Sequence, residues 1–288
     1  MSVHRESEVA LTHAILREHF GPGAWKLAPA KQGRGAGAYV ARSERHSVFV
    51  KWDVDGLALR RLSDLGIVPT VVAVARHGDR PYIIQRYVEG THPDRSWLGQ
   101  HLAGIATLIR TYQQDEELVR TLSPRRKLGH VNAVSDALTD IRAAFNHAQP
   151  PIFHSGRVIE SLARWQKQGQ RVPAGPIVPT HLDPNATNFL LSHDRVYLID
   201  WDEVTLSDPM RDIGPFLWWY IPRRKWHEFF TVYGMEMTDE AVRLVYWWAA
   251  HRSISVALWI AGHVDEAAGA EDFLIDFTAA TAGDPNPH

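Results

Sequence analysis

The apolar residues of this chain change their period once, near Glu89-Gly90, and that change restricts the fold more than any other feature. Before it, Trp25 to Ala30, Ala38 to Ala41, Ser47 to Trp52, Thr70 to Arg76 and Tyr82 to Val88 are short strand-like runs. The Gly-Asp step inside His77-Gly-Asp-Arg-Pro81 marks a hairpin. Two stretches there have helical spacing: Ser7 to Phe20, with Ser7 as its cap, and Asp55 to Leu65. After Gly90 the spacing is helical over Trp97 to Gln114, Val131 to Ala148, Val158 to Gln168, Ile213 to Tyr220, Lys225 to Tyr233 and Ala241 to Ala261. The pattern predicts an α+β chain of two lobes: a small antiparallel β-rich N-lobe over 1–89 and a larger α-helical C-lobe over 90–288. Ligands tend to bind where such lobes meet.

Composition removes several function classes. With no cysteine among 288 residues, disulfides, thiolate zinc sites and cysteine nucleophiles are excluded. A formal net charge of -2 argues against a nucleic-acid partner, which needs a basic face. No apolar run reaches membrane-spanning length, and the polar start Met1-Ser-Val-His-Arg-Glu has no apolar stretch behind it. A cytoplasmic protein with no membrane partner is therefore expected. Nothing in the sequence sets an oligomeric state.

One island in the helical half is not helical. Ile177 to Thr180 reads as a strand entering the loop His181-Leu-Asp-Pro-Asn-Ala-Thr-Asn188. Phe189-Leu-Leu and Val196-Tyr-Leu-Ile-Asp200, joined by a polar turn, form a β-hairpin. With a three-residue turn (His193 to Arg195), Asn188 and Asp200 lie directly opposite on one face; a two- or four-residue turn separates them. Asp183 sits on the loop that enters the hairpin. Oxygen donors of this kind suit Mg²⁺, which also takes phosphate oxygens. Taken singly, Asp183, Asn188 and Asp200 are ordinary turn and cap residues; their spacing as a set points to a nucleotide–metal site.

The run His181-x-Asp183-x4-Asn188, followed by the hairpin and Ile199-Asp200-Trp201-Asp202, resembles the catalytic loop and metal-binding segment of eukaryotic-like kinases. In detail it is similar to the aminoglycoside phosphotransferase and choline kinase-like families, whose downstream element resembles Asp208-Pro-Met-Arg-Asp212-Ile-Gly214. Leu182 stands where those families commonly have Gly, and Pro184-Asn-Ala-Thr187 replaces the usual Leu-His-Pro-Gly.

The resemblance implies a protein-kinase-like fold with a nucleotide-binding N-lobe. It implies transfer of the γ-phosphate of ATP or GTP to a hydroxyl, with Asp183 taking the hydroxyl proton and Asn188 and Asp200 holding Mg²⁺. It gives Lys51, at the end of a predicted strand, the nucleotide phosphates. No Glu lies between Arg45 and Glu89 to pair with Lys51, so Asp55 is the expected substitute and Asp53 the other candidate. Gly33, Gly35 and Gly37 fall where a phosphate-covering loop belongs. Gln85, Tyr87 and Val88 lie on the strand running into the linker, where backbone groups would meet the base. His181 is expected to brace the metal-binding segment, and Asp212 to hold the catalytic-loop backbone.

The implied partner is a small-molecule hydroxyl acceptor, with an aminoglycoside or other antibiotic first. Six acids and no Lys or Arg fall between Ser253 and His288 (Asp265, Glu266, Glu271, Asp272, Asp276 and Asp284), which would suit a cationic acceptor or simply form a solvated tail. Trp218-Trp219 and Trp247-Trp248 offer one ring of each pair to a quaternary ammonium such as choline. A choline- or sugar-type metabolite kinase, a nucleotide-binding pseudokinase, and a phosphoesterase using Asp183, Asp200 and Asp202 are the other readings.

Overall fold

The computed structural model describes residues 2–30, 37–54, 56–123, 133–148, 150–173, 175–193, 195–263 and 269–288. It divides into two compact units, Met1–His92 with Thr187–Asp202, and Pro93–Ala186 with Glu203–His288. The cut differs from the expected one between residues 89 and 90. Thr91 forms a bridge with Leu191, and His92 Nδ1 lies 2.8 Å from the Phe189 carbonyl. Backbone pairing thus ties the hairpin to the chain that leaves the first sheet. Gly90 is needed there, because a Cβ would fall 2.3 Å from the Leu191 carbonyl oxygen.

In the first unit, β1 (Lys26–Pro29), β2 (Ala38–Arg42), β3 (Ser47–Trp52), β4 (Val71–His77) and β5 (Arg80–Arg86) form an antiparallel sheet in the order β1-β2-β3-β5-β4. β4 and β5 meet at the expected Gly78-Asp79 turn, where His77 pairs with Arg80. The period of two decides which side chains face the core. Tyr39 and Ala41, Val48, Val50 and Trp52, and Tyr82 and Ile84 are buried with Ile15 and Leu16 of helix α1 (Ser2–Phe20). The alternate residues Val40, Phe49, Lys51, Ile83 and Gln85 line a cavity instead. Helix α2 (Gly56–Asp64) follows β3 and lies so close to β4 that a Cβ on Gly56 would sit 2.3 Å from Val74 Cγ1. Helix α1 starts five residues before Ser7, so Ser7 lies inside it and is not its cap.

The second unit is helical apart from β6 (Val178–Thr180), which pairs with β9 (Thr205–Ser207). The stretch expected as one helix over Trp97 to Gln114 is two, α3 (Arg95–Gln100) and α4 (Leu102–Gln113), broken at His101. A helix without a sequence expectation, α5 (Glu116–Leu122), comes next, capped by Asp115 on the Leu118 N–H. Then come α6 (Val134–Asn146), α7 (Gly156–Gly169), α8 (Met210–Tyr220), α9 (Trp226–Tyr233), the long α10 (Asp239–His263) and α11 (Ala270–Ala282). Of the acids in the C-terminal stretch, α11 buries Asp276 (5% exposed) beside Leu274 and Phe277, whereas Glu271, Asp272 and Asp284 are exposed and Asp265 and Glu266 lie outside the described residues.

Candidate functional site

The hairpin strands β7 (Phe189–Ser192) and β8 (Arg195–Leu198) pair with Ser192 opposite Arg195, so the turn has two residues, not three. Asn188 therefore faces Ile199 across the ladder, and the Ile199 N–H donates to the Asn188 carbonyl at 2.8 Å. By strand geometry alone Asp200 would point away from Asn188. It does not, because Asp200 leaves strand geometry with φ +66°, a left-handed conformation uncommon for a residue with a Cβ. Both residues consequently line the same cavity in the first unit, about 800 Å³ in volume. That size suits a nucleotide-sized ligand.

Of the expected nucleotide and metal residues, Lys51, Gln85, Tyr87, Val88, Asn188 and Asp200 all line this cavity. Its walls are apolar, with Val40, Phe49, Leu59, Val68 and Ile83. Gly37 is not among the lining residues; at φ +98° it packs beside Trp52 and Glu8, and its carbonyl accepts the Trp52 N–H at 2.9 Å. Gly33, Gly35 and Asp55 lie outside the described residues. Asp53, the other candidate partner of Lys51, is taken by Arg80 at 2.6 Å. Lys51 pairs instead with Asp202 and lies 3.5 Å from Asp200 Oδ1. Of the backbone N–H groups over 85–88, that of Val88 has no role in the sheet among the described residues. Gln85 is flanked in the sheet by Phe49 and Val71, and the Arg86 and Tyr87 N–H groups donate to Thr70 and Ser47. The Gln85 side chain donates to the Pro69 carbonyl at 3.1 Å. Missed from the sequence are the cations at this cavity: Lys26, Arg86 and Arg42, the last lying over the Tyr87 ring.

Asn188 and Asp200 offer hard oxygen donors at the cavity wall with a lysine beside them. This fits Mg²⁺ shared with phosphate oxygens better than a metal held by protein alone. Among the described residues, no group of three or more His, Asp or Glu gathers as a metal cage.

Asp183 belongs to the second unit, on a loop fixed from below by Asp212. The fully buried Asp212 carboxylate accepts the His181 and Leu182 N–H groups, each at 2.8 Å, and the Tyr112 hydroxyl at 2.7 Å. The Asp183 N–H in turn donates to His181 Nδ1 at 3.2 Å, which requires the ring proton on Nε2. Leu182 has φ +74°, a left-handed conformation that Gly adopts without strain. In this chain the strain is offset by burial, since Leu182 is 5% exposed. Leu182→Gly should change stability by no more than about 1 kcal/mol, because lost packing and relieved strain cancel. Leu182→Ala keeps the strain and loses the packing, and should cost about 2 kcal/mol. Urea titration of both variants tests this; an Ala variant as stable as the Gly variant would contradict it.

Sequence reasoning did not find Arg252 of α10, whose Nη2 is 2.7 Å from Asp183 Oδ1. Elsewhere in the second unit, burial pushes the Asp208 carboxyl up to about 6, against the opposing effect of its bond to the Met210 N–H. A carboxyl raised in the folded state favours the fold while protonated, so this contribution is present below pH 3.8 and is lost as pH rises through about 6. Asp208→Asn should therefore gain on the wild type by about 1–3 kcal/mol between pH 4 and pH 7, measured by denaturation at each pH. A constant difference would contradict the burial argument.

Burial withdraws three of the four tryptophans from a cage for an ammonium group, leaving the half-buried Trp219. Trp218, Trp247 and Trp248 are buried, and the Trp219 indole donates to Asp276 Oδ2 at 2.9 Å. Trp247 stacks on Trp165 at 4.8 Å.

A five-stranded antiparallel unit bearing a cavity-facing lysine, and a helical unit bearing the Asp183 loop over a buried aspartate, define a protein-kinase-like phosphotransferase fold. A model of the phosphotransferase enzyme family, APH, matches residues 32–238, and the chain belongs to that family. Solved structures agree on the fold. A spectinomycin phosphotransferase in complex with ADP and spectinomycin superposes with a TM-score of 0.69 at 14% identity, over 95% of this chain and 96% of that one. A choline/ethanolamine kinase family protein from Mesorhizobium loti gives 0.67 at 18%, over 96% and 93%. The GDP complex of an aminoglycoside 2'-phosphotransferase gives 0.69 at 14%, over 94% and 98%. The chain is a phosphotransferase of this family. Among the described residues, no helix is long and apolar enough to cross a membrane.

Proposed function

We propose that the protein transfers the γ-phosphoryl group of ATP or GTP to a hydroxyl of a small molecule. The observation that carries this reading is the convergence of Lys51, Asn188, Asp200 and Val88 on one cavity of the first unit. In it, Val88 offers its backbone to the base, and Val40, Phe49 and Ile83 cover the base's faces. Lys51 meets the phosphates. Asn188 and Asp200 would hold Mg²⁺, which when bound supplies positive charge to the phosphate oxygens. Asp183 orients the acceptor hydroxyl and accepts its proton as the new O–P bond forms and the β,γ-bridging bond breaks, releasing the nucleoside diphosphate. Catalysis is mainly positioning and neutralisation of charge.

The pairing of Lys51 with Asp200 and Asp202 supports this reading over a pseudokinase that has merely lost its helix Glu, because Lys51 is held without it. Relatives with this fold include proteins whose structures hold spectinomycin or kanamycin and others named choline kinases. For this chain, antibiotics, choline-like alcohols and sugars are all candidate acceptors. The polycation reading loses support because Asp276 is buried and bonded to Trp219 and Asn286. A nucleoside-triphosphate donor fits a cytoplasmic setting.

Calorimetric titration with MgATP and MgGTP tests the nucleotide half of the proposal. The wild type should bind at least one of them, and Asp200→Ala should weaken the metal-dependent part by about ten-fold or more. Equal affinity with and without Mg²⁺, unchanged in Asp200→Ala, would remove Asp200 from the metal site.

A further inference from the structure

In the second unit a guanidinium stands directly on the Asp183 carboxylate. Arg252 reaches Asp183 from α10 and stays 29% exposed, while Asp183 stays 37% exposed, so the pair stands at a surface and not in the core. Among the described residues, Nη2 alone of the guanidinium nitrogens has a partner; Nε is buried without one. Tyr220 of α8, whose hydroxyl takes the Ala186 N–H, lies within the field of Asp183, Arg252 and also Arg95. Burial holds His251 neutral, with Arg211 and Arg252 adding to the effect, and the charge of Arg211 is in turn offset by Asp212, Glu203 and Asp140. Arg252 is thus the cation that stands in contact with the Asp183 carboxylate.

A hydroxyl presented to Asp183 carries the substituents of its neighbouring carbons toward Arg252. A guanidinium is a planar fork that matches the paired oxygens of a carboxylate or phosphate, and it repels an ammonium group. We infer that the acceptor bears an oxyanion, a carboxylate or a phosphate, near the hydroxyl it presents to Asp183, and that Arg252 is the residue that binds it. This rests on the phosphotransferase reading of Asp183. Arg252 is then a specificity residue: it holds Asp183 in the absence of acceptor, and turns unused N–H donors to the acceptor's anion.

The test uses one ring scaffold with different charges: glucose, glucosamine, glucuronate and glucose 6-phosphate. Each is titrated by saturation-transfer NMR onto the full chain loaded with a non-hydrolysable Mg–ATP analogue. The expected order places glucuronate or glucose 6-phosphate about ten-fold tighter than glucose, with glucosamine weakest, as one charge-assisted pair would give. The two anionic arms separate carboxylate from phosphate. Arg252→Met should shrink the preference to under about two-fold with nucleotide affinity unchanged, and Arg252→Lys should keep part of it. An order indifferent to charge, glucosamine binding best, or a preference that survives in Arg252→Met would overturn the inference. So would an equal loss for all four probes, which is what a residue that only positions Asp183 would give. Failure of the nucleotide analogue to bind would instead sink the phosphotransferase reading, and this inference with it.

Discussion

Asp183→Asn should lower acceptor-stimulated nucleoside diphosphate release by about 10³-fold, within the range that a positioned proton acceptor contributes. The substitution keeps the shape of the side chain and a hydrogen-bonding oxygen for Arg252, so the loop over Asp212 should stay in place. What it removes is the negative charge that draws the hydroxyl proton. Asp183 does not line the cavity that holds Lys51, Asn188 and Asp200, so nucleotide affinity should stay within about two-fold of the wild type. The effect should therefore fall on kcat and not on the nucleotide KM. A variant that turns over at a tenth of the wild-type rate or better would show that Asp183 is not the proton acceptor.

The second large effect is structural. Asp212→Ala would remove the acceptor of two buried backbone N–H groups, those of His181 and Leu182, and that of the Tyr112 hydroxyl, while the Gln113 amide keeps the Pro209 carbonyl. Each buried donor left without a partner costs about 1–3 kcal/mol, so a total loss of about 4 kcal/mol or more is expected. That is large for a single substitution and should lower Tm by about 10 °C. The loss is not only one of stability. Leu182 is held in a left-handed conformation by its N–H bond to Asp212, so releasing it also releases the placement of Asp183 next to it. Asp212→Asn retains one acceptor oxygen and should fall between the wild type and Asp212→Ala. Thermal and denaturant unfolding would check the order. A loss below about 1 kcal/mol in the Ala variant would mean that water replaces the carboxylate at those donors.

Much of this was legible in the sequence because it depends on period and spacing. The alternation in Ser47 to Trp52 put Val48, Val50 and Trp52 into the core and Lys51 on the other face, where the cavity lies. The Gly-Asp turn and the hairpin after Asn188 followed from local chemistry of the same kind, whereas the role of Asp212 came from the family resemblance. The exceptions have physical causes. The hairpin turn has two residues, the case that puts Asn188 and Asp200 on opposite strand faces; the left-handed φ of Asp200 returns it to the cavity, and although Asp adopts that conformation more readily than most residues, the sequence does not say which Asp will. Arg252 lies 69 positions after Asp183 on a helix whose apolar pattern gives no hint of an ion pair. Asp276 looked like part of a solvated acidic stretch because charge alone does not reveal a helix face; its partners Trp219 and Asn286 are supplied by tertiary packing. Lys51 finds its carboxylates in Asp200 and Asp202, far along the chain, and not at Asp53.

The most direct test of phosphoryl transfer is ³¹P NMR of the wild-type chain with MgATP or MgGTP and a panel of hydroxylated acceptors: aminoglycosides, choline, neutral sugars and hydroxy acids. The account predicts a new phosphate monoester resonance that grows in step with the nucleoside diphosphate for at least one acceptor, and that disappears in Asp183→Asn. Inorganic phosphate as the sole product with every acceptor, or a monoester formed equally well by Asp183→Asn, would contradict it.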